Sequence, residues 1–135
     1  MTRGESVAAR ARALVGARFR PQGRDPAVGL DCVGTAAAAA GVPAGRIRRD
    51  YPMRGHSLAE MEAELQGLGC AAVEIEAMAA GDVVLCEAGP LQLHIAVLTG
   101  EGFVHADAGL RMVVERPLPL PWPIRRVWRL SEEQG

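Results

Sequence analysis

Apolar residues fall into two regimes along the chain, helical spacing in the first half and strand-like alternation in the second. Val7, Ala11 and Leu14 recur at intervals of three and four behind a Thr2/Glu5 capping box, which predicts a helix over residues 3 to 15, stopped at Gly16. Residues 17 to 30 hold Pro21, Gly23, Pro26 and Gly29, so they read as an irregular loop. An alanine-rich run from Val33 to Ala40, closed by Gly41 and Pro43 and preceded by Asp31 as N-cap, predicts a second helix with Cys32 in its first turn. Ser57 and Glu60 form another capping box, and Leu58, Met61, Leu65 and Leu68 mark a third helix.

After Gly81 the pattern becomes alternating and β-branched. Five short strands are expected, over residues 82–86, 91–99, 103–106, 111–115 and 125–130, separated by glycine and proline. Helices followed by strands predict a single α+β domain over residues 1–135, with N-terminal helices packed on a C-terminal antiparallel sheet. The segment Pro117–Pro123 reads as a rigid tether into the last strand.

Composition narrows the function. The 135 residues carry 15 basic groups, all arginine, against 16 acidic ones, for a formal net charge of -1. That balance gives no bulk field for nucleic acid or an anionic membrane. No stretch approaches the roughly 20 apolar residues of a spanning helix, and the N-terminus shows no secretory leader pattern. The expectation is a soluble chain made in the cytoplasm. Cys32, Cys70 and Cys86 form an odd set without a Cys-x-x-Cys pair, which argues against a disulfide framework or zinc knuckle. A metal site from Cys32, Cys86, His94 and His105 fits no zinc spacing.

The candidate chemistry centres on Cys32. A thiol at a helix N-terminus is favoured as thiolate by the helix dipole and by backbone N–H groups. Those same groups, the N–H of Cys32 included, suit an oxyanion. Taken alone, Cys32 reads first as a small buried hydrophobe packing the alanine-rich helix, and its context must overturn that reading. A base is then needed. His94 lies on an alternating strand, and Gly100-Glu-Gly102 turns the chain into Phe103-Val-His105-Ala. With a four-residue loop, His94 and His105 become diagonal neighbours on one face, roughly 7–8 Å apart at the backbone. With a three-residue loop they separate. In the first case His94 takes the thiol proton and His105 orients the His94 ring. His56 reads as a surface residue.

Read in order, Phe19-Arg-Pro-Gln-Gly, Gly29-Leu-Asp-Cys32-Val-Gly, Gly81-Asp-Val-Val-Leu, His94-Ile-Ala-Val and Phe103-Val-His105-Ala-Asp-Ala-Gly resemble the NlpC-type cell-wall peptidases, most closely their prophage-encoded branch. The resemblance implies a papain-like fold, a Cys32-His94-His105 triad, no cofactor, and hydrolysis of an amide bond in peptidoglycan stem peptides. Many members carry tyrosine where Phe19 stands, and Gln22 is the candidate substitute donor, with Asp31 and Phe19 at the substrate side. The interval from His94 to His105 is one residue shorter than in many relatives. Phage tail proteins are the partners implied, and a phage-type particle or lysis the route to the wall. The alternative is a non-catalytic tail or wall-binding module that keeps the fold.

Overall fold

A computed structural model describes residues 2–21, 23–42, 63, 66, 69–90 and 92–130. The first helix, α1, spans Arg3–Ala13. Its capping box is formed: Glu5 N–H donates to Thr2 Oγ1 at 3.0 Å, and Thr2 N–H donates to the Glu5 carboxylate at 3.1 Å. This pairing holds the Glu5 carboxyl below its ordinary pKa, first through the Thr2 backbone N–H. Val7, Ala8 and Ala11 form the buried face, as the spacing predicts.

Residues 17–30 are more ordered than the proline and glycine content suggests. Arg18 bridges to Met112 and Phe19 to Leu30, and Arg24–Asp25 (β1) pairs antiparallel with Gly29–Leu30 (β2). Helix α2 follows at Cys32–Ala40, with the Asp31 carboxylate accepting from Gly34 N–H at 2.8 Å. An N-cap of this type is worth about 1 kcal/mol. Gly41 ends the helix at φ 76°, a left-handed conformation that glycine adopts without a Cβ penalty. The third helix expected over residues 57–68 lies, except for Ala63 and Gln66, outside the described residues; those two are helical.

The strands β3 (Cys70–Val73), β4 (Val83–Gly89), β5 (Gln92–Leu98), β6 (Gly102–Asp107), β7 (Met112–Pro117) and β8 (Ile124–Leu130) form one sheet in the order β3-β8-β4-β5-β6-β7. Every pairing in it is antiparallel. The sheet has six strands where five were expected, because Cys70–Val73 adds an edge strand beside β8. The five expected strands are all present, with ends displaced by up to three residues.

Alternation divides the strand side chains between two cores. Val83, Leu85, Ile95, Val97, Val104 and Trp128 pack with Val7, Ala11, Cys32, Val33 and the α2 alanines. On the other face, Val84, Cys86, Ala96, Leu98, Phe103 and Val127 are covered by Met78, Leu118, Leu120 and Trp122. The α2 alanines allow the helix to lie close to the sheet, since a methyl group adds little thickness. Beyond β3, a 3-10 turn at Ile75–Ala77 leads to Asp82, which is 1% exposed. Its carboxylate takes the Ala79 N–H at 2.8 Å and both Nε and Nη2 of Arg129 at 2.9 Å. This fork ties the start of β4 to β8.

Candidate active site

The sheet opens beside His94 and His105. Strands β4–β5 and β6–β7 each pair over six positions, but β5 and β6 pair only at Val97↔Val104 and Leu98↔Phe103. This is the register of a four-residue loop. Past it the ladder stops, and a side-chain contact takes its place: His94 Nε2 and His105 Nδ1 lie 2.9 Å apart. The rings stand nearly perpendicular at 88°, with centroids 5.0 Å apart. That contact leaves His94 Nδ1 as the other nitrogen of the half-buried ring.

The opening between β5 and β6 is a pocket of about 530 Å³, lined by Phe19, Asp31, Cys32, His94, His105, Asp107 and Trp122, among others. Cys32, His94 and His105 therefore all line one cavity. Cys32 is at the first position of α2 and 5% exposed, and it forms no disulfide. Phe19 and Asp31 line the same cavity. Gln22 lies outside the described residues. Among those residues, no cluster of three or more His, Cys, Asp or Glu side chains could hold a metal ion.

Both imidazoles are held neutral near pH 7. Burial pushes His94 down to about 4, the neighbouring His105 lowers it further, and the Asp107 carboxylate pulls the other way. Burial also lowers His105, against Asp107 and with a smaller contribution from the Arg116 guanidinium. The other two thiols are held in the protonated form near pH 7. Burial raises Cys86 to about 12 and raises Cys70 as well, because a thiolate has no solvation in those surroundings.

Trp122 was not singled out in the sequence. It comes from the segment read as a tether, yet its indole meets His94 at 4.9 Å and His105 at 5.2 Å between centroids, both near perpendicular. The signal available was its type: it is the one large aromatic in the run Pro117–Pro123, where fixed backbone angles favour a rigidly presented side chain.

No family model matches this sequence, and no curated protein matches it. Solved structures do. The NlpC2 structure from Trichomonas vaginalis aligns with a TM-score of 0.70 at 17% identity, over 98% of this chain and 48% of that one. The NlpC/p60 domain of the peptidoglycan hydrolase SagA aligns at 0.62 and 20% identity, over 92% and 96%. The peptidoglycan hydrolase RipB from Mycobacterium tuberculosis gives 0.62 and 18%, over 98% and 66%. The chain spans about half the length of NlpC2 and of a second Trichomonas relative, NlpC1. Two described helices against an antiparallel sheet, matched end to end by such domains, give this chain the papain-like α+β fold of the NlpC/p60 domain.

Proposed function

We propose that the chain is a cysteine peptidase of the NlpC/p60 family that hydrolyses amide bonds in peptidoglycan stem peptides, with Cys32 as nucleophile, His94 as base and His105 as its orienting partner. The observation that carries this reading is the 2.9 Å contact of His94 Nε2 with His105 Nδ1, inside a pocket that Cys32 also lines from a helix N-terminus. SagA and RipB, both peptidoglycan hydrolases, support the substrate class.

The chemistry runs in two halves. Cys32 Sγ attacks the amide carbonyl carbon while its proton passes to His94 Nδ1, and the tetrahedral oxyanion forms at the positive end of α2. Collapse breaks the C–N bond, His94 returns the proton to the leaving amine, and a thioester remains on Cys32. Water then attacks the thioester with His94 again taking a proton, releasing the carboxylate product and the thiol. With His94 neutral near pH 7, its ring is in the form that can take the thiol proton as attack occurs. Arrival at the wall through a phage-type particle or through lysis, with tail proteins as partners, belongs to this reading and is supported by the likeness of the motifs to the prophage-encoded branch.

The test is incubation of the purified chain with muropeptides and mass analysis of the products, alongside alkylation by iodoacetamide. Expected are cleaved stem peptides, no cleavage by Cys32→Ala, and labelling of Cys32 ahead of Cys70 and Cys86. Full cleavage by Cys32→Ala would remove the nucleophile from the proposal. An intact muropeptide pool together with equal labelling of the three thiols would favour a non-catalytic wall-binding module.

A further inference from the structure

The His94–His105 contact admits two proton arrangements, and only one is productive. If His94 Nε2–H donates to His105 Nδ1, His94 Nδ1 keeps its lone pair and His105 carries its proton on Nε2. If His105 Nδ1–H donates instead, His94 Nδ1 carries the proton and has no lone pair for a thiol. The contact between the rings serves both arrangements, so the surroundings of the two outer nitrogens decide between them, the far side of His105 among them.

That far side is unusual. His105 Nε2 is buried and has no hydrogen-bond partner among the described residues. Around the ring stand aromatic groups instead: Phe103 at 5.4 Å, tilted by 38°, and Trp122 at 5.2 Å and 73°. An imidazole N–H lies in the plane of its ring. Phe103, tilted by only 38°, is poorly set to receive it, whereas the near-perpendicular Trp122 ring is at the distance and angle at which an indole face can accept an in-plane N–H. Aromatic faces are electron-rich, so they attract an N–H and repel a nitrogen lone pair. The Arg116 guanidinium stacks on this arrangement, 6.0 Å from the Trp122 ring centroid and 5.8 Å from that of Phe103.

We propose that Trp122 is a positioning residue that sets the tautomer of the catalytic pair, receiving the His105 Nε2–H on its indole face and so keeping His94 Nδ1 unprotonated toward Cys32. The inference rests on the reading of His94 as the base. Trp122 touches neither nucleophile nor scissile bond in this role. It acts through His105, and the segment that carries it is part of the active site rather than a tether.

Nitrogen-15 chemical shifts of the histidine rings, measured on the full chain at pH 7.5, report the tautomers directly and need no substrate. In the wild type, His94 and His105 are both expected in the Nε2–H form, with an excess of roughly fivefold or more over the alternative, the scale set by one N–H···π contact. Trp122→Leu, which keeps an apolar wall without a π face, should bring the two arrangements toward equal populations. Trp122→Phe should restore the excess. Should the leucine variant fail to fold, Trp122→Met provides the same comparison. A wild-type His94 protonated on Nδ1, or an unchanged tautomer excess in the leucine or methionine variant, overturns the proposal. The measurement also separates this inference from the peptidase reading: muropeptide cleavage can be present with the wrong tautomer control, and the tautomer control can be present in a protein that cleaves nothing.

Discussion

Acidification tests the site most directly, because the folded chain holds His94 neutral far below the pH at which an ordinary imidazole protonates. In the unfolded chain His94 titrates near 6.5; in the folded one burial, reinforced by His105 and opposed by Asp107, moves it to about 4. The folded state therefore binds fewer protons than the unfolded state between those two values. Stability from this group is complete above pH 6.5, falls as the pH drops through that window, and is fully lost below about 4. At about 1.4 kcal/mol per pH unit the loss is about 3 kcal/mol, a large part of the 5–15 kcal/mol typical of a domain. His105, lowered by burial in the same direction, adds to it. Urea unfolding at intervals from pH 7.5 to 4.5 should show the midpoint falling through the window, and His94→Asn should flatten that dependence by removing the titrating ring. With His94 as the proposed base, competent while neutral, the acid limb of kcat/KM should lie nearer pH 4 than 6.5. An acid limb centred at 6.5, or identical pH profiles of stability in the wild type and His94→Asn, would refute the burial argument.

Two substitutions probe how the site is held. Gly34 lies in the first turn of α2, and a methyl group there would run into the Gly23 carbonyl, with Leu30 close behind. Alanine favours a helix over glycine by about 1 kcal/mol, but the clash is with backbone, and overpacking of this kind costs about 1–3 kcal/mol. Gly34→Ala should therefore lower the urea midpoint and slow Cys32 alkylation, since the loop that must move also carries Phe19 into the pocket. Asp82→Asn replaces an acceptor of three N–H groups by an amide that turns its own NH2 toward one of them. Arg129, with 47% of its side chain exposed, regains water in part, so the expected loss is about 2 kcal/mol of unfolding free energy, with the order of cysteine alkylation unchanged.

The parts of the site that were legible in the sequence are those with local signals. Asp31 caps the helix it precedes, and the Cys32 helix follows from its own alanines. The His94–His105 juxtaposition follows from period-two alternation once the loop length fixes the register. The rest depends on partners far along the chain. Cys70–Val73 carries two exposed alanines, a composition with weak strand preference, and becomes a strand because β8 offers it an edge. The β1–β2 hairpin has only two residues a side, and beside it Phe19 bridges to Leu30 of β2 while Arg18 bridges to Met112 of β7, a contact that no window of sequence contains. Trp122 escaped for the same reason. It precedes β8, β8 pairs with β4, and β4 pairs with the strand that bears His94, so its approach to the histidines is two pairings removed from anything its neighbours encode.

That distance in sequence also explains why the site can be rigid. Arg10 Nε donates to Ala39 O at 2.7 Å and Arg3 Nη2 to Ala40 O at 3.0 Å, so α1 holds the C-terminal end of the helix whose other end presents Cys32. Two arginines there also complement the negative end of the helix dipole. The histidines come from the opposite layer, at the point where β5 and β6 have ceased to pair with each other but each still pairs with an outer neighbour. A gap in an otherwise continuous sheet normally leaves backbone groups to water. Here the imidazoles meet across it, in a pocket that the first residue of α2 also lines. Cys32 thus rests on helix capping and His94 on strand register, two constraints settled by independent parts of the core. A core substitution that shifts one layer should change the separation between sulfur and imidazole before it changes either group's own surroundings.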